Sequence, residues 1–252
     1  MTAPPPRPWR RGAARVSVVG VIGELLITAG VLVFLFLGWQ LWLNDIIVGA
    51  AQDKAGVALG QTWGDTAAPT HEHVATKKDY GEPVVTAAQK NAAKFAVMYV
   101  PRFGADYARS IAQGVGTRDV LDKGEIGHYP DTQMLGEVGN FAVAGHRTTH
   151  GAPFNQLATL RVGDKIYIQT ADGYYTYDFR GLEYVRPSGI GVIDPVPQSP
   201  GVTPLDRVLT MTSCNPKLSS AERIIAYAVF DSWQPTSAGP PQAIAASLTA
   251  KG

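Results

Sequence analysis

Residues 208–216 read VLTMTSCNP, and this stretch indicates how the chain is organised. Its first five residues are apolar or β-branched, which is typical of a buried strand. The strand ends on Cys214, the only cysteine in the chain, and the Asn-Pro pair after it predicts a turn that brings the strand end to the surface. A cysteine in such a place is a candidate nucleophile, although a lone cysteine in an apolar strand is commonly an inert core residue.

Two further strand-like runs carry polar residues at their ends. Residues 140–147 read NFAVAGHR and include His146, and residues 222–230 read ERIIAYAVF with Arg223 near the start. A cysteine nucleophile acts as the thiolate, so it needs a nearby base or cation. His146 is the candidate base and Arg223 the candidate cation, but each residue alone is also compatible with a structural or solvated position. His128 and His150 are alternatives to His146.

The bulk composition excludes several classes of protein and site. The 252 residues carry a net charge of +1, which argues against nucleic acid as a main partner because phosphate binding needs clustered Lys and Arg. A single cysteine excludes an intrachain disulfide framework and zinc sites built from several thiolates. The loops lack a cluster of carboxylates suited to calcium. We therefore predict no cofactor and no metal site.

An apolar segment near the N-terminus predicts membrane attachment. Residues 16–43 exceed both the roughly 20 apolar residues of a spanning helix and the apolar core of about 7–15 residues in a cleaved signal peptide. We predict a transmembrane helix there, with a cleaved signal as the alternative. Residues 1–15 are rich in Pro and include four arginines, which predicts a disordered cytoplasmic segment and an extracytoplasmic location for the rest of the chain.

The remaining chain divides into regions of different composition and pattern. Residues 44–92 mix short apolar, Gly, Pro and charged stretches, which predicts a solvated stalk with a short helix over 87–94. Residues 93–233 contain short β-like runs separated by turns, including an Asp172-Gly173 hairpin signal, and predict a mainly β barrel or sandwich domain. Short helices are expected at 117–121 and 153–160. Residues 234–252 predict a flexible tail, within which 242–249 is compatible with a helix.

Taken together, the motifs resemble the sortase family. TMTSC at 210–214, GHR at 145–147 and Arg223 soon after the cysteine match that family's order of signatures. GHYP at 127–130 and GAPF at 151–154 are similar to class E, the housekeeping group of actinobacteria. The resemblance implies a closed eight-stranded β-barrel. It also implies Cys214 as nucleophile, His146 as general acid/base and Arg223 as the cation that orients substrate and stabilises the oxyanion.

Two further positions follow from the resemblance. A tyrosine at the place of Tyr129 is associated in class E with a preference for Leu-Ala-x-Thr-Gly over Leu-Pro-x-Thr-Gly signals. Ser213 replaces a threonine that contacts substrate in relatives, so we expect Ser213 to be substrate-binding, with activity retained and reduced. Met211 replaces the usual leucine, a change that conserves volume.

The implied function is a membrane-anchored cysteine transpeptidase. It would cleave a sorting signal between Thr and Gly through a thioacyl-enzyme and transfer the secreted protein to a cell-wall peptide amine. One alternative is a class C-like pilus polymerase, whose lid would have to come from residues 60–90. The other is a non-enzymatic, membrane-tethered β-domain that binds cell-wall peptides and in which Cys214 is inert.

Overall fold

The computed structural model describes residues 17–64 and 79–249. The predicted disordered segment 1–15 lies outside the described residues, as do residues 65–78 of the predicted stalk and the last three residues of the predicted tail. The chain divides into two compact units, Met1–Trp42 and Leu43–Gly252, which are described separately.

The first unit is built around α1, Val18–Gly38. Ser17 caps this helix, since its hydroxyl accepts a hydrogen bond from the backbone N–H of Gly20 at 3.4 Å. None of the α1 residues is buried by protein. By length and composition α1 can cross a membrane, a criterion that a signal sequence near an N-terminus also meets. A five-residue π-helical stretch, Trp39–Leu43, follows it.

The second unit contains a closed barrel of eight strands, as the sequence predicts. The strands are β1 Lys94–Tyr99, β2 Ala108–Gln113, β3 Ile126–His128, β4 Gly139–Ala144, β5 Lys165–Gln169, β6 Gly173–Val185, β7 Arg207–Asn215 and β8 Glu222–Pro235. Their order around the barrel is β1-β2-β3-β4-β7-β8-β6-β5. The β2–β3 and β4–β7 pairs are parallel, and the other pairs are antiparallel.

Alternation along the strands decides which side chains fill the barrel. On β7, Leu209 and Met211 belong to the apolar core, and on β4 Phe141 and Val143 do so. Because successive side chains point to opposite faces, the intervening residues face outward. The quoted runs at 140–147, 208–216 and 222–230 correspond to β4, β7 and β8, and the Asp172-Gly173 signal to the turn between β5 and β6. The three residues of β3 are too few to show a period.

Two of the predicted short helices are tighter turns in the structure. Single 3₁₀ turns occur at Leu121–Lys123 and Leu157–Thr159, and residues 87–94 contain no helix. Further 3₁₀ turns lie at Pro101–Phe103, Ile190–Ile193 and Thr236–Ala238. In the predicted tail, α3 forms over Gln242–Thr249, and its Ile244 is buried in a cluster with Tyr99 and Tyr174.

The prediction of a solvated stalk over 44–92 is wrong for the residues that the structure describes. Asn44–Gly64 forms α2, which lies on the barrel through the buried Gly49, Gly56 and Gly60. A Cβ at Gly56 would lie 2.1 Å from the carbonyl oxygen of Ala108, so only glycine allows this approach. The helix has no large apolar stripe, which is why its sequence resembles a linker.

The segment that leads from the undescribed residues into β1 also contacts the barrel. The N–H of Thr86 donates to the carbonyl of Leu135 at 2.9 Å, and the Tyr175 hydroxyl donates to the Val84 carbonyl. Glu82 pairs with Arg207 at 2.5 Å. Arg207 is the first residue of β7 and precedes Cys214 by seven residues. In an extended strand this separation corresponds to roughly 23 Å.

Candidate active site

Cys214 lies at the C-terminal end of β7, half-buried, where the chain leaves the barrel for an exposed turn. It shares the outer face of β7 with Thr210 and Thr212, because Leu209 and Met211 occupy the core face. Across the antiparallel β7–β8 pair, its partner is Arg223. The barrel therefore places the thiol and a permanent cation at neighbouring positions of one edge.

The register between β4 and β7 brings His146 to the same edge. These strands run parallel, and Ala144 pairs with Thr212. One residue further, the N–H of Gly145 donates to the Thr212 carbonyl at 3.1 Å, so the ladder extends past the end of β4. Residues 68 apart lie side by side throughout this pair. The same offset relates His146 to Cys214.

Ser213 links β7 to the segment that follows β4, one residue before Cys214 and His146. Its hydroxyl is buried and donates to the carbonyl oxygen of Gly145 at 2.7 Å. Because Ser213 lies on the core face of β7, its hydroxyl is engaged inside the protein rather than offered to an outer groove. Substrate binding by Ser213 stays a prediction from the resemblance.

The loop that carries His146 is closed by several contacts. The Phe154 N–H donates to the carbonyl of His146 at 3.0 Å, and Arg147 Nη1 donates to the carbonyl of Phe154 at 2.8 Å. A Cβ at Gly145 would meet the Phe154 ring at 2.8 Å, so glycine is needed before the histidine. Burial lowers the pKa of the Arg147 guanidinium.

Two side chains besides Cys214 and Arg223 must be considered at His146. Its Nε2 lies 2.9 Å from Oδ1 of Asp122, which belongs to the 3₁₀ turn before β3. The ring of His150 stacks on the His146 ring, with centroids 4.9 Å apart. The carboxylate accepts a hydrogen bond from Nε2–H and thereby holds the imidazole in one orientation.

Arg223 is held at the start of β8 by backbone oxygens. Its Nη1 donates to the carbonyls of Ser220 and Glu222 at 3.0 and 2.9 Å. These acceptors are neutral, so the contacts fix the guanidinium in place without cancelling its positive charge. Arg223 is half-buried and lies opposite Cys214 in the β7–β8 register, and its cation is suited to attract a thiolate or an oxyanion.

Tyr129 contacts Thr212, which lies on the outer face of β7 two residues before Cys214. Its hydroxyl lies 2.9 Å from Oγ1 of Thr212, and its N–H donates to the Ala142 carbonyl at 3.0 Å. The half-buried Tyr129 therefore lies beside β4 and β7, near the strand ends that lead to His146 and Cys214.

His128, the first alternative to His146, is a structural residue. It is fully buried, stacks on Phe141 with centroids 4.7 Å apart and lies 2.9 Å from Gln113 Oε1 through Nδ1. Burial lowers its pKa to about 4, so the imidazole is neutral at physiological pH. A histidine enclosed in this way has no access to a peptide substrate.

Comparison with known proteins agrees with this arrangement. A family model described as the sortase domain matches residues 98–231, which include all eight strands in whole or in part, together with Cys214, His146 and Arg223. The chain belongs to the sortase family.

Three relatives place this sortase more closely. Sortase SrtE1 of Streptomyces coelicolor is 33% identical over 243 residues, which cover 93% of this chain and 63% of SrtE1. SrtA of Actinomyces oris is 36% identical with a TM-score of 0.63, covering 66% of this chain and 96% of that one. Sortase E of Streptomyces avermitilis is 40% identical with a TM-score of 0.56, covering 62% and 99%. These similarities support the class E assignment.

The solved structure of Sortase E1 from S. coelicolor, with a tripeptide in its active site, is 36% identical to this sortase with a TM-score of 0.57 and covers 62% of this chain and 99% of that one. The sortase described here spans about 63% of the full SrtE1 length.

The sequence could not have supplied Asp122. It stands 24 residues before His146, in a turn without a motif, and only the parallel β2–β3 connection returns that turn to the end of β4. His150 was weighed as an alternative base. The structure instead stacks it beside His146.

Proposed function

We propose that this protein is a membrane-anchored class E sortase that uses Cys214, His146 and Arg223 to cleave a sorting signal between Thr and Gly and to transfer the secreted protein to a cell-wall peptide amine. The observation that carries the proposal is the register of β7 with both neighbours. It relates Cys214 to His146 on one side and pairs it with Arg223 on the other. The tripeptide in the S. coelicolor relative supports a peptide substrate at this edge.

The proposed reaction is an acyl transfer in two halves. The Cys214 thiolate attacks the threonine carbonyl carbon, and the resulting oxyanion is stabilised by the Arg223 cation. The C–N bond to glycine breaks as His146 donates a proton to the leaving amine, which leaves a thioacyl-enzyme. An incoming amine then attacks the thioester, His146 accepts its proton, and the Cys214 thiolate leaves.

Asp122 acts on this reaction through His146. Its carboxylate accepts the Nε2–H hydrogen bond and stabilises the imidazolium that forms when His146 takes a proton from the incoming amine. Tyr129 lies beside the outer face that carries Cys214, which suits the proposed selection of Leu-Ala-x-Thr-Gly signals. Ser213 is better suited to hold the His146 loop than to touch substrate.

The location follows from the N-terminal segment. Helix α1 is the proposed anchor, and the four arginines before it favour a cytoplasmic N-terminus and an extracytoplasmic barrel. Partners are then secreted proteins with a C-terminal sorting signal and the amine of a cell-wall peptide.

The class C-like alternative requires a lid over the cysteine. Within the part of residues 60–90 that the structure describes, Glu82 contacts Arg207 at the opposite end of β7 from Cys214. Helix α2 ends beside Gln169 and Tyr174, which lie on β5 and β6. The described parts of this segment, 60–64 and 79–90, therefore contact the barrel away from Cys214.

The test is cleavage of a peptide panel by the full chain in detergent micelles. We expect cleavage of Leu-Ala-x-Thr-Gly peptides after Thr, and Cys214→Ala, His146→Ala and Arg223→Ala should each abolish it. Folding is checked by thermal unfolding of each variant. Retained cleavage by Cys214→Ala would disprove the mechanism. Failure of the parent Cys214 to react with a vinyl sulfone would favour the non-enzymatic alternative.

A further inference from the structure

A second histidine beside His146 has no role in the reaction proposed above. His150 Nδ1 lies 3.8 Å from Asp122 Oδ1, the same oxygen that lies 2.9 Å from His146 Nε2. One donor atom from each of these three residues falls within 4.8 Å of the other two. The two imidazole rings stack with an interplanar angle of 26°. Two nitrogen donors and one carboxylate oxygen therefore converge on one small volume.

This donor set and spacing suit a first-row divalent ion. Two imidazoles and one carboxylate are ligands that Zn²⁺ and Co²⁺ accept, with a fourth position left for water. In a tetrahedral zinc site, bonds of about 2.1 Å place ligand atoms about 3.4 Å apart. The two separations that involve Asp122, 2.9 and 3.8 Å, lie on either side of that value, and the two histidine nitrogens lie within 4.8 Å of each other, so side-chain rotations would bring all three donors to the ion.

The loop that presents His150 is held in an unusual conformation. Thr149, His150 and Ala152 have φ angles of +67°, +52° and +40°, with Gly151 between them at +76°. Side chains other than glycine rarely adopt this region, and such strain persists only where other contacts enforce it.

Contacts from helix α2 hold this loop in its left-handed conformation. The Asp45 carboxylate accepts hydrogen bonds from the N–H groups of Thr149 at 2.8 Å and Gly151 at 3.4 Å. The Gln52 amide donates to the carbonyl of Lys123, the neighbour of Asp122. One helix thus holds both loops that carry the three donors, and the donors remain open to solvent, with exposed fractions of 23%, 39% and 43% for His146, Asp122 and His150.

We propose that Asp122, His146 and His150 form a binding site for a divalent transition-metal ion such as Zn²⁺, and that the bound ion inhibits the enzyme by occupying His146. The inhibition rests on the proposed function, because an imidazole bound to the ion through Nε2 keeps its one proton on Nδ1 and can no longer alternate between its neutral and protonated forms. Metal binding itself does not depend on that function. The site is a reversible inhibitory site, and the reaction proceeds without the ion.

The test uses the full chain in detergent micelles, with a thiol-free reductant and no chelator. Peptide cleavage is titrated with Zn²⁺, and binding is followed separately by the visible absorption of added Co²⁺. We expect a Co²⁺ spectrum of low coordination number at one equivalent and inhibition by Zn²⁺ that a chelator reverses. His150→Asn tolerates the left-handed backbone and keeps a polar side chain. It should preserve cleavage without metal and raise the Zn²⁺ concentration for half-inhibition at least about tenfold.

Two control variants separate this site from other ligands in the chain. His71→Asn/His73→Asn removes two histidines outside the described residues and should leave both titrations unchanged. Cys214→Ala should keep the Co²⁺ spectrum, which should lack a thiolate charge-transfer band in the parent. Loss of the spectrum in Cys214→Ala, or equal inhibition of parent and His150→Asn, overturns the proposal. A parent that binds Co²⁺ through these residues but cleaves no peptide refutes the proposed function and leaves the binding site standing.

Discussion

The hydroxyl of Ser213 donates to the carbonyl of Gly145 at 2.7 Å, and this bond joins the residue before the candidate nucleophile to the residue before the candidate base. Both groups are buried, so water does not compete for the bond. The relative position of Cys214 and His146 therefore depends on a side chain that need not touch substrate.

Ser213→Ala removes this bond and should lower kcat more than it changes KM, because the His146 loop loses a fixed point. The free energy of unfolding should fall by about 1 kcal/mol, the usual net value of one hydrogen bond. Urea unfolding and peptide kinetics measure the two effects. Ser213→Thr keeps the hydroxyl and is the matched control. An alanine variant equal to the parent in both measurements would contradict a positioning role.

Asp122→Asn tests the carboxylate that contacts His146 Nε2. The amide keeps the shape of the side chain but loses the negative charge that stabilises an imidazolium, so kcat should fall about tenfold with KM little changed. Steady-state kinetics on a Leu-Ala-x-Thr-Gly peptide provide the measurement. The exposed Asp119, which lies in the same loop, gives the control variant Asp119→Asn. A similar loss in both variants would point to a general charge effect.

Tyr129→Glu should change the preference between Leu-Ala and Leu-Pro signals, since the side chain at 129 lies against Thr212 on the outer face of β7. Tyr129→Phe removes only the hydroxyl and separates the hydrogen bond from the ring. The ratio of kcat/KM for the two signals is the relevant quantity. An unchanged ratio in Tyr129→Glu would remove this residue from the substrate-binding site.

Gly56→Ala tests the attachment of α2 to the barrel. The new methyl group would lie 2.1 Å from the Ala108 carbonyl oxygen, so the helix must move away, at a cost of about 1–3 kcal/mol. Hydrogen exchange should quicken at the N–H of Ala108, which donates to Asp53 Oδ1 at 3.0 Å. Gly64→Ala, where the nearest atom is 3.6 Å away, is the control and should change stability little. Equal behaviour of the two variants would show that α2 does not pack as described.

His128 predicts a loss of stability in mild acid. Its pKa in the folded state is about 4, below the value of about 6.5 for an exposed histidine, so the unfolded chain binds the proton more tightly. The neutral buried imidazole therefore stabilises the fold above about pH 6.5, and this contribution, on the order of 3 kcal/mol, is lost as the pH falls toward 4.

Thermal unfolding from pH 8 to 4 measures this dependence. His128→Gln should be less stable at pH 8 and should lose less stability on acidification than the parent. The exposed His150→Asn variant should follow the parent curve. If His128→Gln shows the same pH dependence as the parent, the buried histidine is not the titrating group.

Local patterns in the sequence predicted most of the strands, and the resemblance to sortases predicted the three main site residues. Short β-branched and aromatic runs, with an Asp-Gly turn between β5 and β6, indicated the strands because strand preference and turn chemistry act over a few residues. The spacing of His146 and Cys214 was visible as a count of residues, but its meaning as the register of two parallel strands required the barrel.

The failures of sequence reasoning concern contacts between distant segments. Residues 44–64 look like a linker because α2 packs largely through glycines and an ion pair, Asp53 with Arg109 at 2.9 Å, and the apolar side chains that it packs against the core are Val57, Leu59 and Trp63. Nothing near Asp122 marks it as a partner of His146, and nothing in Ser213 shows that its hydroxyl points inward. The sequence by itself determined the apolar helix, the strand-rich domain and the residues capable of thiol chemistry. The tertiary structure alone decided which residues lie next to one another, because closing the barrel fixes which strand ends meet at the same end of the barrel.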